Sequence, residues 1–483
     1  MRFFLSAFFF LLTGCAGQYF HDAGAPPAAT PVSLEAWPHK DIWTGVVFNG
    51  DKIGFSRRTL RQVADGLYEI ESEAALRLRF LGVDKRVSLR ALDRVRSDLT
   101  LVSFRYEHEI DGSPLKVSGS ADGRKLTLTI EASGSREGKT LPLAEPLYPS
   151  SAIGYLPVLR GMAVGRKTTF SVFEGETQVL AEAEQEIIGW ESSTLFDGPA
   201  FRLVTRLLGL ESTTWISADG RPMLEMAMNG VLISGLEDEA SARRYLVEAS
   251  LNKRDSLVEF SLLKAGPLAA PRSAARMDIV LDGVPLAFQA PSDGGQRCAR
   301  QGERLSCSVD RSQPLENDAS PGRYLRATLA APSNFAEIAS LAKSLTAGVS
   351  GEEHKISRLI AWMDANIAKE AVDSFTAADV LRERRAECQG HAYLFAALAR
   401  ASGIPTRVVN GIVYSADHGG FLYHTWNEAW IDGLGWQPVD ATFGQARADA
   451  THLKLIEGEQ PAELVPLVTL VGRIKVASVS ARQ

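Results

Sequence analysis

A chain of 483 residues is longer than one hydrophobic core ordinarily organises, so two or three domains are expected. Its hydrophobic content of 45% is that of a globular protein and excludes a chain too polar to fold. The formal net charge of −6 leaves no basic footprint and gives no reason to expect nucleic acid as a partner.

Met1-Arg2 is a short basic start. Residues 3–12 form an apolar run too short to span a bilayer but suited to the core of a secretory leader. The run ends in Leu12-Thr13-Gly14-Cys15, which resembles a bacterial lipobox. That resemblance implies cleavage before Cys15, acylation of its thiol, and attachment to a membrane through lipid alone. Ala16 follows instead of an aspartate, which points to the outer membrane. The alternative is an ordinary secretory leader with an incidental cysteine. Residues 1–14 are therefore read as a lipoprotein signal peptide on a periplasm-facing envelope protein. Residues 15–40, with Pro26, Pro27, Pro31 and Pro38, are read as an extended tether.

Residues 41–264 alternate with period two between turn dipeptides. Asn49-Gly50 marks a hairpin, and Asp111-Gly112, Asp122-Gly123 and Asp219-Gly220 mark further turns. One helix-like stretch, residues 151–164, interrupts them. The pattern predicts a large antiparallel sheet, curled or half-closed into a half-barrel. Its concave face could take an apolar or extended ligand, or it could be a spacer with a filled core.

Residues 265–331 read as a linker followed by a small β module. Cys298 and Cys307, in the oxidising compartment that the leader implies, are expected to close a disulfide hairpin there. Residues 332–483 turn helical. Phe335, Ile338, Leu341 and Leu345 share a face, and Ser350 with Glu353 predicts a capping box before Ile356, Leu359, Ile360 and Met363. Thr376 starts a short helix, an alanine-rich helix begins near Cys388, and strands surround His424 and Asp440. Residues 467–476 read as a last strand. Helices first and an antiparallel sheet after make this an α+β domain on a mainly antiparallel β chain.

The chemistry gathers in three stretches: Glu387-Cys388-Gln389-Gly390-His391, Tyr423-His424-Thr425-Trp426-Asn427-Glu428, and Trp436-Gln437-Pro438-Val439-Asp440. Cys388 stands at a helix N-terminus, where free N–H groups and the helix dipole favour a thiolate. His424, Trp426 and Glu428 share one face of a strand. A turn at Asp432-Gly433 would pair Asp440 with Trp426 and so place the carboxylate diagonal to His424. Cys388, His424 and Asp440 are thereby candidates for nucleophile, base and orienting acid. Each residue alone has an ordinary structural reading as packing, core histidine or turn. Trp426 and Gln389 are assigned to the site lining, and Glu428 to a hydrogen-bond network beside it. The rival chemistry is zinc held by Cys388, His391, His424 and Asp440, but no second Cys or His pair supports it.

These residues, with the helix leading into Gly403-Ile404-Pro405-Thr406-Arg407 and with Thr451-His452-Leu453-Lys454-Leu455 downstream, resemble the transglutaminase-like superfamily of papain-type thiol enzymes. The resemblance covers roughly the last third of the chain. It implies a Cys–His–Asp site working on amide bonds of a peptide or protein, by hydrolysis or acyl transfer, without metal or cofactor. It fixes neither the substrate nor the oligomeric state. The alternative from another class is a non-catalytic binding or assembly lipoprotein that uses the fold as a scaffold.

Overall fold

The computed structural model describes residues 19–28, 30–245, 248 and 254–483. The leader, residues 1–14, and Cys15 lie outside them. Among the described residues no helix is long and apolar enough to cross a membrane.

The turn dipeptides do what their chemistry allows. Asn49 and Gly50 both take positive φ (49° and 87°), which closes the hairpin of Asp41–Phe48 and Asp51–Ala64 with the right strand twist. Hairpin follows hairpin into one 16-stranded sheet. It is antiparallel except where Leu147–Pro149 runs parallel to Lys167–Glu174. Leu60, Tyr68, Ile70 and Val95 from one half meet Phe170, Ile187, Phe201 and Leu203 from the other in a single core. The sheet is therefore curled over on itself, as the alternation and turn spacing predict.

A second sheet of five strands carries Thr406–Ser415 at its centre, between Gly420–Ile431 and His452–Glu457. Helices Ala336–Thr346, Glu352–Asn366 and Ala377–Glu383 pack with the buried helix Cys388–Ala401 against it. A third sheet of four strands includes Gln296–Gln301 and Arg304–Asp310, which the Cys298–Cys307 disulfide joins.

Several expectations are corrected. The tether is not free: Phe20–Asp22 pairs with the large sheet, and Trp37 is 2% exposed, edge-on to Tyr155 at 4.9 Å. Proline content says only that the segment is extended, and its apolar residues then find a sheet to cover. The linker after residue 264 is also docked, with Leu263–Lys264 pairing onto Gly420–Ile431 and Arg272 pairing with Asp449 at 3.0 Å. The helix Glu352–Asn366 has no capping box from Ser350. Gly351 is its N-cap at φ 79°, a backbone state that excludes a side chain in ordinary geometry. Residues 467–476 are not a strand. Leu467 and Val468 end helix Pro461–Val468, started by Pro461 at the first helical position and by Glu463 accepting from Gln460 N at 2.9 Å, and a turn separates them from Lys475 and Val476. The last strand is Lys475–Arg482, and it pairs with Arg276–Asp282, so the small module takes its fourth strand from the far end of the chain.

Replacing Trp37 by Ala is expected to cost about 3–5 kcal/mol in urea unfolding, the range for a buried large aromatic. An unchanged unfolding midpoint would restore the free tether.

Candidate active site

Cys388 is the first residue of the helix Cys388–Ala401. Glu387 caps that helix, its carboxylate accepting from Gln389 N at 3.1 Å. Gly390 is required there: a Cβ would stand 2.6 Å from Ala386 Cβ and 3.0 Å from Val380 Cγ2. The close approach sets the depth of the first turn and thereby the position of the thiol. Cys388 is half-buried and is the one free cysteine among the described residues.

His424 sits opposite Gly411 on the neighbouring strand. A Cβ at Gly411 would meet the Trp426 ring at 2.7 Å, so glycine makes room for the indole beside the imidazole. The return hairpin pairs Ile431 with Gly435 and Asn427 with Val439. The ladder ends there, and Asp440, the next residue, bridges Gln445 while its side chain reaches back to His424. Its Oδ2 lies 2.7 Å from His424 Nε2. Asp440 Oδ1 accepts from Thr442 N at 2.7 Å and Phe443 N at 3.2 Å, which locks the carboxylate plane. With Nε2 committed to Asp440, Nδ1 is the ring nitrogen left for another partner.

A third group completes the arrangement, and sequence reasoning assigned it no role. His452 Nε2 reaches the same Asp440 Oδ2 at 2.9 Å, and its Nδ1 faces the Asp449 carbonyl oxygen at 3.1 Å. Both ring nitrogens face acceptors, an arrangement that favours the doubly protonated, cationic ring. The charge balance agrees. Burial alone would push Asp440 up, but His424 and His452 hold it well below the usual carboxylate range. Burial opposes charge on His452, yet Asp440 and Asp449 raise it. The available signal was its place in Thr451-His452-Leu453, on the strand that pairs Val413 with His452. Phe443 was also missed: its ring stacks on His424 at 5.1 Å between centroids and is covered by Arg272 at 4.3 Å.

The remaining candidates fall elsewhere. Trp426 is 2% exposed, with its centroid 6.1 Å from His424 and 5.2 Å from His452. It walls the imidazoles from behind and does not line an open groove. Glu428 is held by Arg407 Nε at 2.7 Å and Lys454 Nζ at 2.9 Å, in a buried charge cluster of its own. The Gln389 side chain bonds Tyr393 Oη. His391 is buried, with Nδ1 at 2.9 Å from Glu387 O, which leaves it out of any cluster with Cys388. His424, Asp440 and His452 place one ligand-type atom each within 4.8 Å of one another, but the two imidazoles already share the carboxylate as a hydrogen-bonded set.

The thiol does not sit in the electropositive setting expected of a helix N-terminus. It donates to Glu387 Oε2 at 3.5 Å, not to His424. Burial pushes the Cys388 thiol well up, and the Glu387 carboxylate pushes the same way against the Thr425 backbone. Glu387 is itself raised to about 7 by burial and by Asp373, with Lys85 opposing. The helix dipole is outweighed because the cap that terminates this helix is an acid beside the sulfur.

Residues 339–441 match the family model described as the transglutaminase-like superfamily. The C-terminal part of the chain is a transglutaminase-like domain, joined to a large N-terminal sheet. Over 89 residues the chain is 33% identical to kyphoscoliosis peptidase of Mus musculus, which amounts to 17% of this chain and 13% of that protein's length. Among solved structures it is similar to the periplasmic domain of TgpA from Pseudomonas aeruginosa, at 17% identity and TM-score 0.28, covering 38% of this chain and 88% of that one. It is also similar to a beta-barrel-like protein of a domain of unknown function from Brucella abortus, at 8% identity and TM-score 0.34, covering 44% of this chain and 98% of that one.

Because the folded-state value of His452 is raised, its ion pair stabilises the fold fully below the unfolded value of about 6.5 and is lost as pH rises through the folded value. The advantage of the parent over His452→Gln in unfolding free energy is therefore expected to be largest in mild acid and to decline toward alkaline pH. Urea titrations from about pH 5 to about pH 9 measure it, and a pH-independent difference would contradict a charged His452.

Proposed function

We propose that this protein is a thiol enzyme that opens an amide bond of a peptide or protein substrate. The observation that carries the reading is the buried His424–Asp440 pair at 2.7 Å, with Nδ1 left over, in the same domain as a lone free cysteine on a helix N-terminus. Cys388 turns from Glu387 to His424 Nδ1 and passes its proton there as its sulfur bonds to the acyl carbon. The Cys388 N–H, at the first residue of the helix, faces the developing oxyanion as one donor, while Gln389 N is taken up by the Glu387 cap. The carbon–nitrogen bond breaks, the amine takes the proton from His424, and a thioester remains on Cys388. Water then releases the acid, with His424 as base. Asp440 holds the imidazole tautomer and balances its charge throughout.

Hydrolysis ranks ahead of transfer to an amine, because water is the abundant acceptor and because the mouse relative is named a peptidase. The leader and Cys15 support a lipid-anchored location at the periplasmic face of the envelope, where peptides and proteins are the substrates at hand. A scaffold reading has less support, since it leaves the Asp440-bound His424 without a purpose.

Release of amine from a fluorogenic peptide-amide mixture tests the reading. Cys388→Ala is expected to abolish it, and Asp440→Asn to slow it by roughly 10²–10⁴-fold while the protein stays folded. Equal rates for parent and Cys388→Ala would overturn the enzyme in favour of the scaffold.

A further inference from the structure

The segment leading into the cysteine helix is gripped from the N-terminal sheet by three hairpin ends. Lys85, just past the Gly82 turn, places Nζ 2.5 Å from Asp373 Oδ2 and 3.9 Å from Asp111. Asp111 Oδ2 accepts from Asp373 N at 3.1 Å. Ser113 Oγ accepts from Phe375 N at 3.0 Å and donates to Asp379 at 2.9 Å, and Ser133 donates to the other Asp379 oxygen. The gripped segment is tied directly to the site, since Glu387 N donates to Val372 O at 3.0 Å, one residue before Asp373.

Two features distinguish Lys85 from the serines beside it. Its side chain is only 6% exposed, and a buried ammonium is costly unless paired. Staples can be built from hydroxyls, as Ser113 and Ser133 show, so a buried charge calls for a further reason. The second feature is the company it keeps. On Glu387, Asp373 raises and Lys85 lowers the carboxyl. Two other cations flank the segment on the short ladder before Glu387, but Lys369 is held by Asp364 at 2.7 Å and Arg385 lies 3.4 Å from Glu370. Lys85 comes from a different sheet, 288 residues before Asp373.

We propose that Lys85 is a positioning residue for Cys388, supplying from the N-terminal sheet the positive charge against which the Glu387-bound thiol gives up its proton. This rests on the reading of Cys388 as nucleophile. Lys85 touches neither substrate nor sulfur; it acts through Asp373 and Glu387. Without it, Asp373 acts uncompensated on Glu387, the thiol's hydrogen-bond partner, and ionisation of the thiol moves to higher pH. Without Asp373 the ammonium keeps only the more distant Asp111, at 3.9 Å, and ionisation moves lower. The large sheet is then part of the thiol site.

The test is alkylation of the full chain by iodoacetamide across pH, read at the Cys388 peptide by mass spectrometry. Lys85→Met is expected to raise the midpoint by about one pH unit, which slows alkylation ~10-fold at a fixed lower pH. Asp373→Asn is expected to lower the midpoint. The Lys85→Met/Asp373→Asn double variant returns close to the parent, and Lys85→Arg keeps the parent profile. Opposed shifts that cancel are not what a staple produces. A folded Lys85→Met with an unmoved midpoint, or single variants shifting in the same direction, would overturn the inference while leaving the nucleophile intact. Should Lys85→Met not fold, the direction of the Asp373→Asn shift decides. A parent whose Cys388 alkylates at no pH removes the nucleophile reading and this inference together.

Discussion

A carboxylate with no exposure to solvent, shared by two imidazoles, is the constraint on which the C-terminal domain turns. Asp440 cannot be buried as a charge unless it is compensated, and His424 and His452 compensate it from two different strands. Those strands flank Thr406–Ser415, so the requirement fixes the order of the sheet around the site. His452 shares the neutralisation of the acid with His424, whose Nδ1 is left for another partner. In the proposed function this separates two tasks that one histidine would otherwise have to combine: neutralising the buried acid and moving a proton.

The thiol side obeys a different balance. A helix N-terminus favours a thiolate, yet the residue that caps this helix is Glu387, and the sulfur's hydrogen bond goes to it. The resting arrangement thus favours a protonated thiol, and ionisation depends on what balances Glu387. Lys85, which opposes the upward push of Asp373 on Glu387, comes from the N-terminal sheet. The N-terminal sheet therefore bears on the site through charge as well as through the hydroxyl contacts of Ser113 and Ser133 to Asp379.

What the sequence made legible is what local physics decides. Asn49-Gly50 closes its hairpin because both residues tolerate positive φ. Asp432-Gly433 sets a register that can be counted forward to Val439 opposite Asn427, with Asp440 next in line. What stayed hidden depends on distant partners. A lone His452 in a strand carries no mark of the carboxylate it meets. The apolar residues near Leu467 fit a short strand or a short helix equally until the sheet they cover is known. Pro26, Pro31 and Pro38 announce an extended segment but not that Trp37 will be buried by it. Trp426 was correctly placed beside His424, but whether it faces a substrate or the protein interior depends on the Phe443 and His452 side of the fold, which no count along the strand supplies.

The central claim is that Cys388 forms a covalent acyl bond with the help of the Asp440-held imidazole. Brief incubation of the full chain with a para-nitrophenyl ester, followed by acid quench and peptide mass mapping, tests it most directly. The Cys388 peptide of the parent is expected to carry the acyl mass, and that of His424→Ala to lack it. An acyl group found only on other residues, or found on Cys388 to the same extent without His424, would contradict it.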